Sequence, residues 1–330
     1  MKLFLWSVVL LAAVWAAHWG ADKLANPLEK LRRQWGLSEA AGAAFVALAT
    51  ASPEIGTNTA SAIQGLSDIG LGNLLGSNII SVPAIVTVAF IASRTNSEQP
   101  SETNRKPVVL RVKPEALKVQ AIPYLVIVAL AALLILPPPW QGLQPIDGWI
   151  MLVAYLVYAG QAILREQQQN RRVRWQKQEI VLALAGVLSL AIGAYFTVTA
   201  TEQIVSVLGI SELIGGLFIT STLSIAPEVF ATWSVARSGQ VTAATTSVIA
   251  DNTATMTLAL LPLALVSIPI KDVQLFVVNL AFVALLAAVY AGLIQWGKEQ
   301  HSFELWEVLT LIAIYVAYLG VMVFWVLNIF

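Results

Sequence analysis

Two Pro-Glu pairs, Pro53-Glu54 and Pro227-Glu228, sit inside apolar stretches long enough to cross a bilayer. Proline removes a backbone hydrogen bond and a carboxylate is costly in hydrocarbon, so each pair combines two features that lipid opposes. A hydroxyl stands four residues before each acid, Thr50 before Glu54 and Ser224 before Glu228, a spacing that puts both groups on one helix face. Pro53 cannot donate to the Ala49 carbonyl, nor Pro227 to that of Leu223, which leaves a backbone oxygen one turn from each acid. Further along, Ser77 and Ser81 are four apart, as are Asp251 and Thr255, with Asn78 and Asn252 beside them. Three carboxylates (Glu54, Glu228, Asp251) with hydroxyl, amide and carbonyl oxygens form a hard donor set. It suits Ca²⁺, which takes roughly 6–8 oxygens, and Na⁺, which accepts the same ligands. No intramembrane Lys or Arg stands near these acids, so cations or protons must compensate them. The chain has no cysteine and only two histidines, His18 and His301, both near predicted helix ends. Disulfides, thiolate sites and a histidine-rich metal centre are thereby excluded.

The elements that position these groups are membrane helices. Hydrophobic residues make up 58% of the 330 and charged residues 12%, with a mean hydropathy of +0.75, which is an integral membrane composition and not that of a soluble enzyme. At ~20 apolar residues per crossing, about ten spans fall near 3–20, 38–64, 69–93, 119–137, 148–164, 179–198, 211–236, 241–268, 273–296 and 303–328. With the N-terminus outside and the spans alternating, only Lys2 and Lys271 of the 19 basic residues lie outside. The other seventeen are cytoplasmic, the positive-inside signature of a cell-membrane protein. The N-terminus also resembles a signal peptide, but the basic loop after it is hard to export. Residues 94–118 are expected to be a polar cytoplasmic connector, and 165–178 a basic linker between two five-helix halves, 1–164 and 179–330.

Laying residue n beside n + 174 pairs Gly42 with Gly216, Thr50 with Ser224, Pro53 with Pro227 and Glu54 with Glu228. Gly65 then meets Gly239, Asn73 meets Ser247, Asn78 meets Asn252 and Ser81 meets Thr255. The repeats span about 38–93 and 211–268, separated by an odd number of spans, so the second copy crosses in the opposite sense. Inverted repeats of this kind build secondary transporters with a site at the midplane. The all-α fold expected is therefore two inverted five-helix repeats.

The string Gly70-Leu71-Gly72-Asn73-Leu74-Leu75-Gly76-Ser77-Asn78-Ile79, after Pro53-Glu54 and Asp68, resembles the first alpha-repeat of the cation/calcium exchanger superfamily, which includes the sodium/calcium exchangers. The resemblance runs over nearly the whole chain. Ala49-Thr50-Ala51-Ser52-Pro53-Glu54 stands where that family shows Gly-Thr-Ser-x-Pro-Glu, so one hydroxyl has moved. In the second repeat Ala250-Asp251-Asn252 replaces Gly-Ser-Asn. Ser81 and Thr255 stand where an Asn or Asp is frequent. The resemblance implies cation ligation by Thr50, Glu54, Ser77, Ser224, Glu228 and Asp251.

The function expected is a non-enzymatic antiporter exchanging Ca²⁺ for Na⁺ at this carboxylate site, with Ca²⁺/H⁺ exchange the alternative. A cation channel would need an oligomeric pore, whereas the repeat makes a site within one chain. An intramembrane hydrolase lacks its catalytic residues here. The protein is expected to act as a monomer in the bilayer, with no cofactor, no nucleic-acid partner and no sizeable cytoplasmic regulatory domain. Gly72 and Gly76 read as helix packing. Trp6, Trp19, Trp35, Trp140 and Trp149 read as interfacial aromatics. Asp68 and Glu202 are expected to be solvated in outer loops, Pro137-Pro138-Pro139 to make an exterior turn, and Asn58 and Asn73 to face either the pathway or the packing.

Overall fold

The computed structural model describes residues 1–34, 47–95, 110–111, 120–139, 141–165, 175–237, 241–296 and 302–327. Gly42, Trp35, Trp140, Gly239 and His301, and most of the 94–118 connector and the basic linker, lie outside these residues.

Long apolar runs set the helices, even where a proline lies inside, as Pro27, Pro83 and Pro227 do. α1 covers Lys2–Gln34, α2 Ser52–Gln64 and α3 Ser67–Thr95. α4 covers Ile122–Ile135, α5 Pro145–Arg165 and α6 Lys177–Leu208. α7 runs over Glu212–Arg237 and contains a π-helical stretch, Gly215–Thr220. α8 is built from Val241–Ala254, a π stretch Thr255–Ala259, and Leu260–Leu265. α9 covers Val273–Trp296, and α10 covers Leu305–Val321 and winds into a π turn at Met322–Val326. Seven of these helices are long and apolar enough to cross a membrane. Two short antiparallel ribbons pin the connections: Leu110–Arg111 against Ser302–Phe303, and Gly142–Leu143 against Ile268–Pro269.

α3 is the hub. It packs against α2, α7, α8, α9 and α10, and 72% of its apolar window is buried, against 22% for α6. α1 and α6 lie side by side at the periphery, with large apolar side chains such as Trp15, Leu184, Leu188 and Ile192 exposed on their outer faces. An outward apolar face of this size requires lipid. Between the two helices, Ser189 donates to the Ala16 carbonyl at 2.8 Å, and the Lys30 ammonium pairs with Glu179.

Several boundaries differ from the expectation. α1 does not end near residue 20; it carries Pro27 inside and continues to Gln34, which places His18 mid-helix and not near an end. α6 continues past 198 to Leu208, so Glu202 is helical and partly buried. Asp68 lies in the first turn of α3 and is ion-paired with Lys271 at 2.6 Å. Each extension has the same cause: polar residues outside the apolar layer do not stop a helix whose propensity is intact. The prolines at 137–139 form the expected exposed turn.

Candidate cation site

The first Pro-Glu pair interrupts its helix and the second does not. Residues 47–50 are helical, Ala51 is a turn, and α2 restarts at Ser52 with Pro53 in its first turn. Proline suits that position because the first helical N–H groups have no intrahelical partner anyway. The Ala49 carbonyl is not left bare, since the Ser52 hydroxyl donates to it at 2.7 Å. Pro227, by contrast, is carried inside a continuous helical segment, Ser221–Arg237. The local irregularity in α7 lies earlier, in the π stretch Gly215–Thr220. The two sides of the site are therefore built differently despite their matching sequence.

Glu54 is 1% exposed, and neither carboxylate oxygen has a hydrogen-bond partner. Its place in the first turn of α2 gives it the positive end of that helix. Asp251, on α8, is also buried, with Oδ1 unpartnered, while the Thr50 hydroxyl donates to the Ala47 carbonyl at 3.1 Å. Glu228, on α7, is half-buried, and Thr50 is exposed. Glu54 and Glu228 each lie in the electrostatic field of Asp251, and Glu228 also lies in that of Glu54. Neither described ion pair, Lys30–Glu179 or Lys271–Asp68, involves any of the three. Among the described residues, however, no three acidic or histidine side chains converge closely enough to grip one metal ion.

The remaining predicted residues divide into two groups. Ser224 is buried and donates to Asn73 Oδ1 at 3.5 Å, tying α7 to α3. Ser77 is buried and donates to the Leu74 carbonyl at 3.2 Å. Asn78, Asn252, Ser81 and Thr255 instead bond to one another across the α3–α8 contact. Ser81 donates to Asn252 Oδ1 at 2.9 Å, and Asn78 Nδ2 donates to Thr255 Oγ1 at 3.1 Å. Thr255 in turn donates to the Asn252 carbonyl at 3.0 Å, and Tyr124 on α4 donates to Asn78 Oδ1 at 2.9 Å. Both amide oxygens thus already accept a hydroxyl proton, which makes this quartet a brace between helices more than a set of free ligands.

Three groups carry weight that their sequence positions did not announce. Tyr124 lies in a uniformly apolar helix whose pattern gives no hint that its hydroxyl reaches Asn78. His18 places Nδ1 at 2.9 Å from the Val14 carbonyl, and its buried Nε2 has no partner. Asn58 is fully buried, four residues beyond Glu54, and its Oδ1 has no partner.

The family profile described as sodium/calcium exchanger protein matches residues 4–164 and 179–324. An uncharacterized membrane protein of Methanocaldococcus jannaschii is 24% identical over 309 residues, which are 91% of this chain and 92% of that one. Sodium/calcium exchanger MaX1 of Methanosarcina acetivorans is 35% identical over 92 residues, 28% of this chain and 26% of its own. Among solved structures, the H⁺/Ca²⁺ exchanger CAX superposes with a TM-score of 0.73 at 16% identity, over 97% of this chain and 81% of its own. The sodium-calcium exchanger NCX_Mj reaches 0.65 at 21% identity, over 96% and 98%. At these identities the two superpositions establish the fold.

Proposed function

The chain belongs to the sodium/calcium exchanger protein family, and from that premise we propose that it is a secondary active antiporter exchanging Ca²⁺ for Na⁺ by alternating access. Glu54, Glu228 and Asp251 supply the charge for the transported ion, with Thr50, Ser77 and Ser224 as hydroxyl ligands. The observation that carries this reading is Glu54. Its two carboxylate oxygens are buried in an apolar protein with no partner. A buried charge in that condition is unstable unless an ion or proton joins it.

In this mechanism Ca²⁺ and Na⁺ compete for the same carboxylates. The three acids repel one another, and the charge of a bound cation offsets that repulsion. The reading of ten crossings in two inverted halves draws support from one pair of contacts. Gly76 approaches Ser221 closely, and the positions 174 residues away from each, Ala250 and Ala47, share a buried cluster. If several Na⁺ exchange for one Ca²⁺ with net charge movement, each charge contributes ~2.3 kcal/mol per 100 mV. A negative interior then favours Ca²⁺ extrusion, which suits a monomeric exchanger of the cell membrane with its basic loops inside.

Proton coupling is the second reading, favoured by the same orphaned acids, because protonation neutralises a carboxylate as well as a cation does. Vesicles loaded with the protein and given either a Na⁺ or a pH gradient separate the two. Na⁺-driven ⁴⁵Ca uptake that Glu54→Gln and Glu228→Gln abolish, in folded protein, supports the proposal. Retained transport in both variants refutes the site. Uptake driven by pH alone replaces Na⁺ with H⁺.

A further inference from the structure

Asn58 is fully buried on α2, four residues after Glu54, and its amide orientation is fixed. Nδ2 donates to the Ala259 carbonyl at 3.0 Å, at the end of the π stretch in α8. A flipped amide would set its oxygen against that carbonyl oxygen, so Oδ1 must be the atom that faces away. That oxygen has no partner. Residues four apart on a helix lie ~5–6 Å apart at Cβ on one face, so three orphaned oxygens line a single strip of α2: Oε1 and Oε2 of Glu54 and Oδ1 of Asn58. A buried acceptor left unmade costs about 1–3 kcal/mol, and three together on one face are expensive without a ligand. The strip carries one negative charge and one neutral amide oxygen.

We propose that Asn58 and Glu54 together hold a second, monovalent cation, Na⁺, one turn along α2 from the shared carboxylate site. The charge fits the ion, since one carboxylate balances one Na⁺, while a divalent cation would need the other acids. The second copy does not repeat the device. The position 174 residues on is Thr232, a hydroxyl where Asn58 has an amide. This inference rests on the Na⁺/Ca²⁺ reading above.

The test is Ca²⁺ efflux from proteoliposomes as external Na⁺ is varied, alongside ⁴⁵Ca/Ca²⁺ self-exchange without Na⁺. In Asn58→Leu the Na⁺ Hill coefficient is expected to fall by about one, and the loss of Na⁺ affinity to exceed any change in self-exchange several-fold. Asn58→Asp keeps an acceptor oxygen and adds charge but loses the donor to the Ala259 carbonyl, so it should retain more Na⁺ affinity than Asn58→Leu. A purely structural Asn58 would make both substitutions depress self-exchange and Na⁺-driven efflux in parallel, and a buried water at Oδ1 would leave the Hill coefficient of Asn58→Leu where it was. Either result overturns the site. Wild-type exchange indifferent to Na⁺ overturns the sodium reading as a whole, whereas intact Na⁺ coupling with unaltered cooperativity in Asn58→Leu overturns this site alone.

Discussion

The Ser81 hydroxyl donates to Asn252 Oδ1 at 2.9 Å. The residues 174 positions away from this pair, Thr255 and Asn78, meet across the same contact, with Asn78 Nδ2 at 3.1 Å from Thr255 Oγ1. Two interactions equivalent by repeat thus face each other between α3 and α8 and hold the helices that carry Ser77 and Asp251. The brace sets where those two ligands stand before any ion arrives.

Removing one arm of the brace strands a buried acceptor. Ser81→Ala leaves Asn252 Oδ1 without its hydroxyl donor in a site 2% exposed. The expected loss is about 1–3 kcal/mol of stability, read as a lowered unfolding midpoint in detergent. Ser81→Thr keeps the hydroxyl and should recover most of it. A midpoint unmoved by Ser81→Ala would remove the brace from the account.

Close approach of α3 and α7 gives a second prediction. A Cβ on Gly72 would run into the backbone of Leu213 and Leu217, and one on Gly216 into that of Ile69 and Asn73. Backbone cannot step aside as a flexible side chain can. Gly72→Ala should therefore force the helices apart, weaken the Ser224–Asn73 contact and destabilise by about 1–3 kcal/mol. Gly160→Ala, with open space around its Cβ, is the control expected to show no such loss. Equal midpoints for the two variants would count against backbone-to-backbone packing.

These cases show what was legible beforehand. Glu54, Glu228 and Asp251 stood out because an acid in an apolar run is unusual wherever the chain goes, and the 174-residue offset needed only spacing. Gly72 and Gly76 announced close packing by their separation. Tyr124 did not, and Asn58 stood open between pathway and packing, because a polar atom's partner depends on which helices touch, and α4 reads as a plain apolar run. The π stretches at 215–220 and 255–259 left no signature either, since one extra residue per turn alters pairing without altering composition. The helix ends beyond the apolar layer were missed because hydropathy reports lipid contact, and helices do not stop where lipid does.

Lys271 and Asp68 supply a pH prediction outside the spans. The Asp68 carboxylate at 2.6 Å holds the Lys271 ammonium above the usual lysine range. A raised folded value means that the pair's stabilisation is complete below the ordinary lysine pKa and is lost as pH climbs through the raised one. Neutral and acidic conditions down to carboxylate protonation should therefore leave it in place, and alkaline conditions should remove it. Lys271 is 74% exposed, so screening limits the contribution to about 1 kcal/mol or less. Lys271→Met should lower the midpoint slightly at pH 7 in low salt, and the difference should vanish in high salt or at alkaline pH. A gap that persists in both conditions would contradict an ion-pair origin.

Asp251 breaks the symmetry of the repeats, standing where Ser77 stands in the first, and that asymmetry should set divalent affinity. Asp251→Asn keeps the shape and one side-chain oxygen while deleting one charge. Coulomb attraction scales with ion charge, so Ca²⁺ loses twice what Na⁺ loses at equal distance. A tenfold or larger rise in the Ca²⁺ concentration for half-maximal self-exchange corresponds to about 1.4 kcal/mol or more. The Na⁺ requirement should shift by a smaller factor, near the square root of the Ca²⁺ change. Asp251→Ser, which restores the residue type of the first repeat, should behave like Asp251→Asn if charge is what matters. Equal shifts for both ions would instead mean that Asp251 shapes the site without contributing charge to it.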